Sequence, residues 1–369
     1  MHRRQFLHAS LGAPLALKSA AAPATGESRN RQPGVSYRRL GRTNYLVSEI
    51  AMGGNTITPE RNDHVLMAFD MGLNYFDTAP AYGRGASERG FAAVIKARGR
   101  DKVFLNSKVS LWDLNRNKLF RDIWESLDES ERKRLRAAAE DEIARRRSDA
   151  PDYFVGYFNG QRQEIEDAAL ANVMESRYGR GIDRRKNYRQ LVLDSVDESL
   201  ARLGTDSLDL LMCPHGANTP HEVLHFPEVF DAFETLKKAG KVRHLGLSAH
   251  SDPAGILEAA VKAGVYSAAM VAFNIVNAPR LESALAAAAK ADLGVIAMKV
   301  ARPVTASGGR VPPPERLAKL EKAVPGALNP QQKAYAWALR NPHVAACAAE
   351  MSTREHVAGN MPLAAPARG

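Results

Sequence analysis

Cysteine is nearly absent. Cys213 and Cys347 are the only two in 369 residues, too few for a disulfide scaffold, a cysteine-only zinc site or an iron–sulfur cluster. Aromatic residues are sparse at 7%. No stretch reaches the roughly 18 unbroken apolar residues that a membrane helix needs. Against these absences stand 45% hydrophobic and 25% charged residues, an ordinary globular composition that excludes a disordered or collagen-like chain. The length suits two average domains or one large α/β barrel.

The net charge is +10, but it is concentrated at one end. Residues 1–43 hold eight basic side chains and one acid, Glu27, so +7 lies there and the rest of the chain carries +3 with its signs interspersed. No basic stripe is interleaved with aromatics, and nucleic acid is not an expected partner. The basic end has its own explanation. Arg3-Arg4 precedes a mildly apolar stretch from Ala9 to Leu17, then the small-residue patterns Ala20-Ala21-Ala22 and Ala22-Pro23-Ala24. That layout resembles a twin-arginine export signal, with a basic disordered tail as the alternative. It implies a periplasmic location, with residues 1–24 as the signal and 25–36 as a polar linker.

Downstream, short apolar or β-branched runs alternate with Ala/Glu/Lys-rich stretches. Strands are expected at 47–53, 74–79, 103–109, 207–214, 242–249, 268–274, 294–300 and 344–350. A helix is expected after each, at 60–71, 87–97, 188–203, 226–239, 253–263, 279–290, 330–340 and 353–360. Alternation of this kind means parallel strands with helical crossovers. Eight units close into a (β/α)8 barrel, a TIM barrel, with function at the C-terminal strand ends. An open doubly wound sheet would carry a Gly-rich GxGxxG turn after its first strand; here that turn reads Met52-Gly53-Gly54-Asn55.

Residues 111–187 interrupt the pattern as a long, mostly helical insertion after the third strand, with basic and acidic residues in near-equal number. Residues 129–147 read as a solvated helix, and Tyr153, Phe154, Tyr157 and Phe158 as an aromatic knot that docks the insertion. Its place after a strand end makes it a lid or pocket wall, or else inert decoration.

Four strand-end side chains converge on one mouth in this arrangement: Asp77, Tyr82, Lys108 and His215. A Lys pointing into a barrel mouth needs a carboxylate partner. At these residues the chain resembles the aldo/keto reductase family. Residues 72–83, GLNYFDTAPAYG, look like the family's first signature, continued by Ser87-Glu88. Lys108 and His215 stand where the family keeps its catalytic Lys and His. Residues 194–209 and 241–248 resemble the approaches to its fourth and fifth strands, and 40–48 the hairpin that plugs the barrel floor. The likeness covers about residues 36–110 and 188–361, not the insertion, and implies a barrel domain over 37–361.

The resemblance implies an NAD(P)-dependent oxidoreductase that interconverts a carbonyl (aldehyde, ketone or keto sugar) and an alcohol. Tyr82 would be the general acid, Lys108 would lower its pKa, Asp77 would hold Lys108, and His215 would orient the carbonyl oxygen. No side chain can donate a hydride, so a nicotinamide must. Cofactor-binding candidates are Gly53, Ser248, Asn274, Lys299, Ser352, Arg354 and Asn360, with Arg302 and the Ser307-Gly308-Gly309 loop over the pyrophosphate. Ser352 to Glu355 also reads as a capping box. The family's strand-six Gln falls at Met270 and its strand-seven Tyr at Met298, while its phosphate-binding basic residues fall near Glu350 and His356. NADP(H) is the expected cofactor, with NAD(H) as the alternative. Trp112 either lines the pocket, where it would stack on a sugar ring, or packs the insertion against the barrel.

Two other classes compete. His221-Glu222-Val223-Leu224-His225 matches the HExxH pattern of zinc hydrolases, although Pro220 and Pro227 bracket it too closely for the long helix such a site uses. A non-catalytic binding barrel would be marked by loss of the four mouth residues, and all four are present. No metal site is expected.

Overall fold

The structure, a computed structural model, describes residues 26–365 apart from Leu111 and residues 307–310. The floor is a small sheet of three strands, β1 (Glu27–Ser28), β2 (Tyr37–Arg39) and β3 (Tyr45–Ser48). β2 and β3 form the expected antiparallel hairpin, and β1 adds to β3 in parallel. Within the expected polar linker, residues 26–36 are thus tied to the floor. Arg29 reaches Asp209 and the Val103 carbonyl, and Asn30 donates to the Phe69 and Leu73 carbonyls, which pins this segment to the floor.

The barrel proper closes from eight parallel strands in chain order: β4 (Ile50–Gly53), β5 (Tyr75–Asp77), β6 (Phe104–Lys108), β7 (Leu208–Met212), β8 (Val242–Ala249), β9 (Ala268–Ala272), β10 (Gly294–Met298) and β11 (Ala346–Ala349). β11 pairs with β4 and β9 with β10, so no edge remains. Strands such as β9, AAMVA, are buried on both faces, as parallel strands under helices must be. The interior is filled by Tyr75, Phe104, Leu210, Met212, Met270 and Ile296, and Leu40 and Tyr45 of the floor plug it from below. Gly41 allows that plug: its φ is +48°, and a Cβ there would lie 2.1 Å from the Gly294 nitrogen. A second apolar layer joins the outer strand faces to the surrounding helices.

The insertion consists of helices Trp112–Ser126, Glu129–Arg146 and Gln161–Tyr178. The middle helix is capped by Asp128 and buries Leu135 and Ala139, with most of its charged face in solvent. Three of the four expected aromatic anchors touch the barrel's upper rim. The Tyr153 hydroxyl donates to Asp252 and accepts from the Ala254 N–H. The Tyr157 hydroxyl accepts from Asn274, and Phe158 sits edge-on against His250. Phe154 instead faces the Arg162 guanidinium within the insertion.

Trp112 is wholly buried, with ring centroids 5.1 Å from Tyr188 and 5.0 Å from Phe226. Its indole therefore joins insertion to barrel and is not a pocket-lining platform. The HExxH segment is likewise structural. Its helix, Pro220–Leu224, ends before His225. Glu222 Oε2 accepts from the Asn218 and Thr219 N–H groups, and its Oε1 faces the buried Arg116 guanidinium at 2.9 Å. A carboxylate already committed to a cap and a cation has nothing to offer a metal or a water. Among the described residues no group of His, Cys, Asp and Glu is placed to hold a metal ion, and no helix is long and apolar enough to cross a membrane.

Candidate active site

The site grows out of period-two alternation on β6. Asn106 and Lys108 face inward, and Ser107 between them points outward to the buried Glu88, which Arg202 also holds. Lys108 Nζ lies 2.5 Å from Asp77 Oδ1 at the end of β5 and donates to the Thr78 carbonyl at 2.8 Å. Asn106 donates to the same Asp77 oxygen, a contact the sequence reading missed; its position two residues before Lys108 on one strand was the available signal.

Tyr82 follows in the loop after β5, with its ring centroid 4.6 Å from the Lys108 ammonium. His215, after β7, stands edge-on to Tyr82 at 6.2 Å. The sequence thus predicted four side chains at one place, and the structure brings all four together.

Charge balance at this cluster is set by burial. Burial works against the Lys108 charge, but Asp77 and Tyr82 outweigh it and hold the amine above its ordinary pKa. Burial lifts Asp77 above the usual carboxylate value against the pull of Lys108. It also lifts the Tyr82 phenol, with the Lys108 ammonium opposing, so the resting ring is a neutral phenol that carries its proton. The expected net lowering of Tyr82 is not reached, because desolvation exceeds the ammonium's effect. Burial, then the positive charge of Lys108, pushes His215 well below its usual value, so the imidazole is neutral. Ser110 ties down its Nδ1. The Ser110 hydroxyl accepts from the Ala81 N–H at 3.2 Å and lies 3.1 Å from His215 Nδ1. With the hydroxyl proton turned to Nδ1, Nε2 carries the ring proton and is a donor; with Nδ1 protonated, the same hydroxyl accepts from it and Nε2 is an acceptor.

A cavity of about 650 Å³ opens above Tyr82 and Asp77, within the size range of small-molecule and cofactor sites. Of the cofactor candidates, Gly53, Lys299, Ser352 and Asn360 line it. Three do not. Ser248 is buried with its oxygen accepting from the Gly216 N–H. Asn274 is buried beneath the Tyr157 hydroxyl. Arg354 lies exposed at the surface, 3.8 Å from Asp63. The cap of helix Arg354–Asn360 is Thr353, which accepts from the His356 N–H, in place of the expected Ser352. The Ser307–Gly309 loop lies outside the described residues.

Met270, Met298, Arg302, Glu350 and His356 do line the cavity, together with Tyr157 and His250, which sequence reasoning had not assigned to it. Lys299 carries the clearest ligand signal. It is half-buried, holds a positive φ of 55°, and has no ion-pair or hydrogen-bond partner among the described residues. Burial pulls its pKa down. A desolvated cation facing a cavity, with Arg302 nearby, fits the phosphates of a dinucleotide.

The sequence profile described as Aldo/keto reductase family matches residues 49–171 and 178–365. The aldo-keto reductase YhdN of Bacillus subtilis is 29% identical over 167 residues, 44% of this chain and 46% of that protein. The uncharacterized oxidoreductase YqkF of the same organism is 23% identical over 214 residues, 57% of this chain and 48% of that protein. The chain thus spans about half the length of each of these relatives. Among solved structures, the holo form of aldo-keto reductase AKR11C1 from Bacillus halodurans superposes with a TM-score of 0.58 at 20% identity, covering 89% of this chain and 90% of that one. An aldo-keto reductase from Klebsiella pneumoniae in complex with NADPH superposes at 0.55 and 18% identity, covering 89% of each chain. At these identities the structural likeness speaks for the barrel fold.

Proposed function

The chain belongs to the aldo/keto reductase family, and from that premise we propose that it is an oxidoreductase that interconverts a small carbonyl compound and an alcohol with NADP(H). The observation that carries this reading is the contact of one ammonium with both a buried carboxylate and the catalytic phenol: Lys108 beside Asp77 and Tyr82. A bound nicotinamide supplies or accepts the hydride.

Each of the chain's own residues then has a task. His215 donates from Nε2 to the carbonyl oxygen and orients it. Tyr82 passes its phenolic proton to that oxygen as negative charge develops there. The Lys108 ammonium stabilises the phenolate left behind, and Asp77 keeps Lys108 in place. In the reverse direction the phenolate takes the alcohol's proton. Lys299 and Arg302 would face the pyrophosphate, while Gly53, Ser352 and Asn360 would border the rest of the dinucleotide.

The substrates we propose are hydroxylated, sugar-like compounds. Support comes from the polar lining of the cavity and from the Tyr157 ring in its wall, with Trp112 having no part. We propose further that the protein is exported to the periplasm; the Arg3-Arg4 leader supports this, and residues 1–25 lie outside the described residues. Mass spectrometry of the native protein is expected to show a chain shortened to about residue 25 with nucleotide bound. An intact leader on the mature protein contradicts export.

The direct test of function is Tyr82→Phe. Reduction of an aldehyde by NADPH should fall by at least ~10²-fold, the usual worth of a general acid, while NADPH binding by fluorescence titration stays near wild type. Turnover that survives the substitution means another group supplies the proton.

A further inference from the structure

His250 is a second imidazole at the mouth that the mechanism does not use. It follows β8, lines the same cavity as Tyr82, and is half-buried. The insertion holds it. The Phe158 ring packs edge-on against it at 5.3 Å, and the Tyr157 ring lies 6.5 Å away. Tyr157 is itself held, since its hydroxyl accepts from Asn274 and its carbonyl accepts from Arg302 Nε at 3.1 Å. Among the described residues no side chain or backbone group hydrogen-bonds either ring nitrogen of His250. Neither nitrogen is sealed away as an unsatisfied buried atom. Its polar edge therefore opens to the cavity. Burial, followed by the positive charges of Lys299 and Lys108, depresses its pKa to about 3, which keeps it neutral. A neutral imidazole offers one donor and one acceptor, the pairing that a hydroxyl group matches.

Position separates this edge from the cofactor candidates that follow β11. Ser352, His356 and Asn360 follow β11, and β9 and β10 lie between β11 and β8 around the ring. His250 feels Lys299 first and Lys108 second, and it acts on His215, so it lies between the cation assigned to the phosphates and the groups beside Tyr82.

We infer that His250, clamped by Tyr157 and Phe158 of the insertion, is the specificity-determining residue that recognises a hydroxyl close to the substrate's reacting carbonyl. The inference rests on the reductase reading above and gives residues 111–187 a role in it: the insertion positions a barrel histidine for substrate selection.

The test compares propanal with 2-hydroxypropanal, which differ by one hydroxyl beside the carbonyl. Wild type should favour the hydroxylated aldehyde in kcat/KM by roughly tenfold, the worth of one good hydrogen bond. His250→Phe should bring that ratio close to one, and Phe158→Ala should lower it part of the way. Fluorescence titration should give NADPH the same affinity for both variants and wild type. A ratio unmoved by His250→Phe overturns the inference, and so does loss of NADPH binding, which would place the imidazole against the cofactor. A wild-type protein that reduces neither aldehyde with NADPH or NADH overturns the reductase reading itself.

Discussion

The Lys108 ammonium stands 4.6 Å from the centroid of the Tyr82 ring while it also touches Asp77 at 2.5 Å. One charge thus serves a structural partner and a chemical one. The consequence is directional. Tyr82 already titrates above its ordinary value because it is buried, and Lys108 is what limits that rise.

Lys108→Met removes the opposing charge, so the phenol's pKa must climb further. Alcohol oxidation needs the phenolate, and its rate rises with pH as Tyr82 loses its proton. In the variant that rise is expected at higher pH, with much lower activity at neutral pH. The substitution also leaves Asp77 buried without its cation, at a typical cost of roughly 3–5 kcal/mol. Lys108→Met combined with Asp77→Asn should therefore recover much of the stability, read by urea unfolding, and none of the activity. An oxidation profile that keeps its wild-type midpoint contradicts the pairing.

The proposed reaction has His215 donating from Nε2, and the Ser110 hydroxyl, which accepts from Ala81, lies 3.1 Å from Nδ1, where it can serve as the donor that this tautomer needs. Because burial and Lys108 keep this imidazole neutral, the tautomer decides whether Nε2 can donate. Ser110→Ala frees the tautomer and is expected to lower kcat by about tenfold, with NADPH affinity unchanged. Ser110→Thr keeps the hydroxyl and should restore most of the loss. Equal losses in both variants would assign Ser110 to loop packing.

The barrel was legible in the sequence because its signals are local. β8 occupies the expected residues 242–249, bounded before by Gly240 and Lys241 and after by the loop at His250. The expected strand at 47–53 is in fact two, since the chain leaves the floor at Glu49. There the Arg38 guanidinium pairs with the Glu49 carboxylate, and the Glu49 N–H donates to the Ser36 carbonyl. The polar pair Ser48-Glu49 is the only local mark of that corner, and it is too short to separate two strands by pattern alone. The four mouth residues were legible through their motif spacing. Tyr157 and His250 were not, because their meeting depends on how a charged insertion lies across the rim, and no periodicity encodes that. Arg354 lies outside the cavity lining for a related reason: helix position alone does not show which way its long side chain turns.

Trp112 separates the insertion's structural role from its chemical one. Its indole is enclosed between Tyr188 and Phe226, close to the buried Arg116–Glu222 pair that holds the same junction. Trp112→Ala empties a large, fully buried volume, which typically costs about 3–5 kcal/mol. The expected result is a lower urea midpoint, with loss of the insertion's protection in hydrogen exchange ahead of the barrel strands. Below the transition, Trp112→Phe should retain near-wild-type kcat, because an aromatic ring still fills the junction and no atom of residue 112 borders the cavity. If Trp112→Phe instead raises the KM of the hydroxylated aldehyde while stability is unchanged, the indole contacts substrate after all, and the wall of the pocket extends further along the insertion than Tyr157.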